Sequence, residues 1–250
     1  MWTEGWACSK KLYPKPSAKI QEGRIVIMKI HFLGTRGNVE PSAPYHSKHS
    51  GILIEEKVLF DVGEKEFLDH NPEAVCITHL HPDHAFFVKN HKEDLPDVPV
   101  YAPENNNGII RLSATREISG LTVTPVPTFH SKHVQSQAYI IEKGKKKILY
   151  TGDMIWIKKT HHHKLKHLDL VITDGSYFRK GGMIRRDKQG NIYGHQGIPQ
   201  LVNLFRKFTP HIIFTHFGSW FYKDIQESRK KLNSFDMKIS AAYDGMQTEV

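Results

Sequence analysis

Apolar residues fall mostly in short runs separated by turn residues, the signature of β-strands. Residues 24–33 are apolar and β-branched and end at Gly34-Thr35-Arg36-Gly37. Residues 51–55 and 58–61 predict a hairpin about Glu56-Lys57, and 74–78 and 98–102 predict two further short strands. The series continues at 121–127, 134–142 and 146–151, with Lys143-Gly144-Lys145 as a turn, and closes with apolar strands at 170–173 and 212–215. Helical spacing is confined to 198–208 and 219–233, each lying between strands. Strands dominate the first two thirds and helices thicken towards the end. Two packed sheets with helices outside is the layer arrangement that fits. Residues 180–194 contain Asp187-Lys188-Gln189-Gly190-Asn191, a hairpin-type turn, and predict an arm that projects from the body.

A chain of 250 residues with 39% hydrophobic and 24% charged positions suits one globular domain, here 24–250. Residues 1–23 show little periodicity and read as an N-terminal extension, or as a strap that lays Trp2 and Trp6 on the domain. The formal net charge of +9 attracts anions and favours phosphate-bearing substrates, although an evenly spread lysine surface gives the same total. Cys8 and Cys76 match no zinc spacing and make no disulfide framework, which suits a reducing interior. With no apolar signal core and no run able to span a bilayer, the expectation is a cytoplasmic protein without a membrane partner.

Seventeen histidines turn attention to metal chemistry, and their placement sharpens it. Thr78-His79-Leu80-His81-Pro82-Asp83-His84 follows a short apolar strand, so its side chains leave the end of a sheet on a loop. Alternation puts His79 and His81 on one side of the extended chain. Asp83 and His84, beyond a proline that turns it, face a neighbouring point. Imidazoles with a carboxylate suit Zn, Mn or Fe. His130, Asp153 and His216 each sit just past a β run, where three strand ends can converge on that loop, and Gly152 permits close backbone approach. A carboxylate between two ions is a good bridging ligand, a part assigned to Asp153. His161-His162-His163 and His167 lie among lysines, which repel cations, and read as a solvated helix or loop near the rim.

These residues resemble the metallo-β-lactamase-fold hydrolases, over nearly the whole span from Met28 onwards. The His-x-His-x-Asp-His signature is present at 79–84, and the later ligand positions are His130, Asp153 and His216. The resemblance implies an α/β, four-layer αββα sandwich holding two divalent metal ions, with zinc expected and manganese or iron as alternatives. Leu59-Phe60-Asp61-Val62-Gly63-Glu64 is similar to the early aspartate motif, which implies that Asp61 orients a ligand histidine or its loop. The competing reading of Asp61 is a helix N-cap or turn residue.

Tyr193-Gly194-His195-Gln196-Gly197, 21 residues before His216, resembles the branch that includes ribonuclease Z and the small cyclic-phosphate phosphodiesterases. That resemblance makes His195 a catalytic or substrate-binding histidine, with Asp174 orienting it and helping to keep it protonated. It implies a dinuclear-metal-dependent phosphodiesterase or nuclease. A metal-bridging hydroxide attacks phosphorus, Asp83 ligates a metal and accepts the water's proton, and His195 aids the leaving group. The interval from His130 to Asp153 is only 23 residues, too short to carry the long tRNA-gripping arm of many ribonuclease Z proteins. Arg185, Arg186 and Lys188, with Arg179 and Lys180, are candidates to grip RNA or DNA through its phosphates. The alternative is a hydrolase of carbonyl substrates such as a lactonase, thioesterase or β-lactamase, and a further one is a catalytically inactive nucleic-acid-binding protein. The aromatics Phe217, Trp220, Phe221 and Tyr222 serve as core, pocket wall or the face of a homodimer, with core the default.

Overall fold

The computed structural model describes residues 1, 26–89 and 94–250. The reading of residues 1–23 as an extension or strap therefore lies, apart from Met1, outside the described residues. Two large sheets carry the chain. The first holds β1 (Lys29–Gly34), β2 (Gly51–Ile54), β3 (Val58–Phe60), β4 (Ala74–Cys76), β5 (Val100–Ala102) and β6 (Ile109–Arg111), and β17 (Gln247–Glu249) returns from the C-terminus to pair with β1.

The second sheet runs in the order β11 (Trp156–Ile157), β8 (Leu121–Phe129), β9 (Gln137–Lys143), β10 (Lys146–Tyr150), β12 (Leu170–Asp174), β15 (His211–Thr215) and β16 (Lys238–Ala241), with β7 (Arg116–Ile118) paired to β8. The hairpin of β13 (Met183–Arg186) and β14 (Ile192–His195) forms a separate two-stranded sheet. Three helices complete the C-terminal half: α1 (Ile198–Phe205), α2 (Ser219–Tyr222) and α3 (Ile225–Asn233).

Three apolar layers hold this together. Between the sheets, inward residues such as Ile30, Phe32, Phe60, Tyr139, Tyr150 and Ile172 form the central core. Outside the second sheet, Ile140, Leu149, Val171 and Phe214 pack under Leu201, Phe205, Phe221 and Leu232 from the helices. Outside the first sheet, Leu53, Leu59 and Val75 pack under Phe67, Phe86 and Phe87. The sequence thus folds as a four-layer sandwich. The outer layer on the first sheet is made of short 3₁₀ helices, Lys65–His70 and Phe86–Val88, while α1, α2 and α3 all cover the second.

Two boundaries depart from the hydrophobic pattern for visible reasons. The predicted helix 219–233 is broken at Asp224, whose carboxylate accepts the Glu227 N–H at 2.9 Å and so starts α3 as a new helix. The predicted strand 24–33 begins in the described residues at Lys29, where pairing with β2 and β17 begins.

The sheets also set the place of the chemistry. β3, β4 and β5 run parallel, as do β10, β12, β15 and β16. The loops leaving the carboxyl ends of β4, β10, β12 and β15 therefore emerge together, and such ends are where open α/β sheets present ligand-binding residues. Among the described residues, no helix is long and apolar enough to cross a membrane.

Candidate active site

His79, His81, Asp83 and His84 follow β4 on a loop that is folded back on itself. The His81 N–H donates to His79 O, and the N–H groups of His84 and Ala85 both reach His81 O. Ring nitrogens of His79 and His130 lie 3.0 and 3.3 Å from His81 Nδ1, giving a three-imidazole group at one side. Asp83, His84 and His216 form a second group, with Asp83 Oδ2 3.0 Å from His216 Nε2.

Asp153 stands between the two. Its Oδ2 lies 3.8 Å from His79 Nε2 and 3.6 Å from His130 Nε2, and its Oδ1 lies 3.3 Å from His84 Nε2 and 3.1 Å from His216 Nδ1. Each oxygen of one carboxylate faces one group, the geometry a bridging ligand needs. Asp153 reaches this point because Gly152 turns the chain at φ 55, where a Cβ would run into the Thr78 side chain.

Donor chemistry and burial both fit a pair of cations. His84 Nε2 and Asp153 Oδ1 face each other at 3.3 Å without hydrogen-bonding alignment, and both are shut from solvent with no partner. Buried polar atoms are rarely left in that state without an ion or water to take them. Burial holds the His79 pKa well below its usual value and that of His130 down to about 4, so both rings offer lone pairs. Burial opposes charge at His84 and His216 as well, yet Asp153 and its fellow carboxylates raise both, His216 to about 10. Both shifts show that the surrounding carboxylates favour positive charge at this point, the place a dication would take in exchange for protons. Despite the cost of burial, Asp83 and Asp153 are held far below the usual carboxylate range, Asp83 first by His84 and Asp153 first by His216.

Two further buried carboxylates fix how the histidines present their nitrogens. Asp61 Oδ2 accepts the His84 Nδ1–H at 2.7 Å and the Tyr150 hydroxyl at 2.7 Å, while Oδ1 accepts the Thr78 N–H at 2.7 Å. The Thr78 hydroxyl donates to Asp61, so it accepts from His79 Nδ1, 3.1 Å away. One carboxylate thus orients His84 directly and His79 through a hydroxyl, turning both Nε2 atoms towards the cluster. Asp61 caps no helix, against the competing reading of it; it sits at φ 59 with its N–H on Cys76 O.

Asp174 repeats the scheme. Its Oδ2 accepts the His195 Nδ1–H at 2.7 Å, and its Oδ1 accepts the Ser176 hydroxyl at 2.6 Å. That hydroxyl accepts in turn from His216 Nδ1 at 2.9 Å. Burial works against ionisation of both members, but His195 holds Asp174 well below its usual value, and Asp174, then Asp153, raise His195. Asp174 and Asp153 therefore favour the charged form of the His195 ring, in which Nε2–H is its remaining donor.

His195 arrives on β14, which also serves His130. The His130 Nδ1–H donates to Gly194 O at 3.0 Å, and the Gly194 N–H donates to His130 O at 2.7 Å. Gly194 sits at φ 121, and a Cβ there would overlap Met183 O on the facing strand. A cavity of about 310 Å³ opens over these groups, with His81, Asp83, His195 and His216 in its wall beside Asn38, Tyr177, Met183 and Ser219. Arg185, Arg186 and Lys188 stand exposed on the projecting hairpin, outside the cavity wall, and Arg186 is engaged with Gly190 O. The lysine-flanked histidines 161–163 lie on a 3₁₀ helix, Lys159–Leu165, away from the cavity wall. Thr78, Tyr150, Ser176 and Gly194 carry no ligand-type signature of their own in the sequence; their part depends on which atom each meets in the fold.

A family model described as the beta-lactamase superfamily domain matches residues 63–217. No curated protein sequence matches the chain. Among solved structures, the chain is similar to a diphosphatase from the PhnP family, at 17% identity and TM-score 0.67, over 90% of this chain and 98% of that one. It is similar to the metallo-beta-lactamase fold protein YhfI from Bacillus subtilis, at 17% identity and TM-score 0.64, over 90% and 100%. Human tRNase Z, short form, aligns at 18% identity and TM-score 0.58, over 88% and 98%. With the fold and the family match in agreement, the chain belongs to the beta-lactamase superfamily of metal-dependent hydrolases, and its His/Asp groups could hold the metal ions.

Proposed function

We propose that the chain hydrolyses phosphodiesters. The observation that carries this reading is the His195–Asp174 pair beside the donor cluster: an imidazole in the cavity wall, held at 2.7 Å by a buried carboxylate, that the two donor groups on either side of Asp153 do not include. His79, His81, His130 and Asp153 would hold one divalent ion and Asp83, His84, His216 and Asp153 the other. When bound, two such ions supply Lewis acidity and lower the pKa of a water nucleophile.

The chain's own groups do the rest. Asp83, in the cavity wall, accepts the proton that the attacking water loses. As the bond from phosphorus to the leaving oxygen breaks, His195 Nε2–H gives that oxygen its proton, an assistance typically worth ~10²–10⁴-fold. Asp174 holds the ring in the required tautomer and stabilises its charge. Two of the similar folds, a diphosphatase and a tRNase, lend this reading support.

Longer substrates have a route out of the cavity. Met183 lines the cavity, and alternation along β13 puts Arg185 on the same side as Met183. An RNA or DNA strand leaving the cavity there would pass the Arg185 guanidinium, which positions phosphates without reading sequence.

The test is hydrolysis of bis(p-nitrophenyl) phosphate by protein loaded with Zn or with Mn, beside His195→Ala. Turnover that collapses in the variant is the expected result. Absence of turnover in protein that carries two ions would overturn the reading and direct the search to lactones, thioesters and β-lactams.

A further inference from the structure

A second group of metal-type donors lies on the opposite side of the first sheet from the central core. In β1, Ile30 and Phe32 point into the core between the sheets, so His31 points outward. There it meets His70, the last residue of the 3₁₀ helix Lys65–His70, with the rings 5.4 Å apart and nearly perpendicular. Glu56, from the β2–β3 turn, completes the group, and one donor atom from each of the three lies within 4.8 Å of the others. We propose that His31, Glu56 and His70 form a peripheral site for a divalent transition-metal ion such as Zn²⁺.

Several independent observations support the assignment. The three donors come from three separate elements that tertiary structure alone brings together. His31 Nδ1 is shut from solvent and hydrogen-bonds to nothing, so no protein partner competes for it. Glu56 has no ion-pair partner among the described residues, whereas its neighbour Glu55 is taken up by Lys143 and the Lys29 N–H.

The turn that presents Glu56 is itself costly. Glu55 and Glu56 sit at φ 56 and 55, a pair of left-handed residues where hairpins ordinarily place Asn-Gly. Non-glycine residues are seldom held there, and they persist where surrounding structure or function fixes them.

The geometry also suits the ion. Around a tetrahedral zinc with bonds of about 2.0–2.1 Å, donors stand roughly 3.4 Å apart. Closing from the present spacing needs only side-chain rotation, which His70 and Glu56 are exposed enough to make. Two imidazoles with one carboxylate select zinc, nickel or copper over magnesium or calcium, and leave one position for water.

Metal-free full-length chain titrated with Zn²⁺ against a chromophoric chelator tests this, with total metal counted by elemental analysis. Wild type is expected to bind one ion more than His31→Ala/His70→Ala, whatever the occupancy of the active-site cluster. Losing a group that merely orients a ligand costs about 10–100-fold in affinity, so the exposed-residue variants His70→Ala and Glu56→Gln should each weaken the extra ion at least tenfold. Since neither residue lies near the cavity, diester hydrolysis should be unchanged in both, which separates this test from that of the proposed function. Equal ion counts in wild type and the double variant, or unaltered affinity in both single variants, would overturn the proposal.

Discussion

Replacing Asp61 by asparagine changes one oxygen for an amide nitrogen at a buried junction of four hydrogen bonds. The amide can face two ways. With its nitrogen towards the Thr78 N–H, two donors oppose each other, and a buried unsatisfied donor costs about 1–3 kcal/mol. With its nitrogen towards His84 and Tyr150, the hydroxyl can rotate to accept, but His84 must move its proton from Nδ1 to Nε2. Nε2 is the atom that faces Asp153 and Asp83. Either orientation leaves the ligand shell in the wrong state. The Asp61-held Thr78 hydroxyl also orients His79, so both groups of donors feel the change. Loss of an orienting partner typically costs about 10–100-fold in metal affinity, or roughly 1.4–2.8 kcal/mol.

The assay is chelator competition at fixed pH, with Tyr150→Phe as the control. That variant removes one donor to Asp61 while keeping the His84 bond. Asp61→Asn should weaken metal binding by the stated factor and Tyr150→Phe should not. Unchanged affinity in Asp61→Asn refutes the reasoning. An equal loss in Tyr150→Phe also refutes it, because burial rather than the grip on His84 would then be responsible.

Three further outcomes follow from the same geometry. Ser176→Ala removes the link from Asp174 to His216 and should weaken the ion held by Asp83, His84 and His216 by about tenfold, measured by the same competition; unaltered binding would show the link to be idle. Arg185→Ala should raise KM for an oligonucleotide and reduce the slope of affinity against log salt by about 1, with the small diester unaffected; equal effects on both substrates would exclude a phosphate contact. Buried His46, held down to about 4 by desolvation and then by Arg229, binds its proton more weakly folded than unfolded. Its contribution is therefore complete above the ordinary histidine pKa of about 6.5 and is lost as pH falls towards 4. By pH 5 the linkage amounts to about 2 kcal/mol, so urea midpoints should fall more between pH 7 and 5 in wild type than in His46→Gln. Parallel falls would contradict this.

What the sequence could and could not disclose has a physical pattern. The segment 78–84 concentrates four donors in seven residues, so local spacing alone places them on two sides of one loop. His130, Asp153 and His216 are legible because each ends an apolar strand. Ser176, Thr78 and Tyr150 carry no such mark: their importance lies in which atom their hydroxyl meets, and that is decided by packing between sheets. Short strands were hidden for a related reason. Arg116–Ile118 and Gln247–Glu249 are mostly polar, and pairing with Leu121–Val123 and Lys29–His31 makes them strands. The 3₁₀ layer over the first sheet was invisible because segments of three to six residues have too few turns to show a helical period.

The two hydrogen bonds between Gly194 and His130 join the projecting arm to the donor cluster through one residue. Anything that steadies the arm, such as a strand of nucleic acid lying along Arg185, steadies the ring of His130, and an ion that fixes His130 steadies the arm. Linkage requires the two effects to be equal in free energy. Polymer grip and ion retention would then be one reciprocal quantity, readable as slower amide exchange in Met183–His195 when metal is added and as slower metal loss when an oligonucleotide is present.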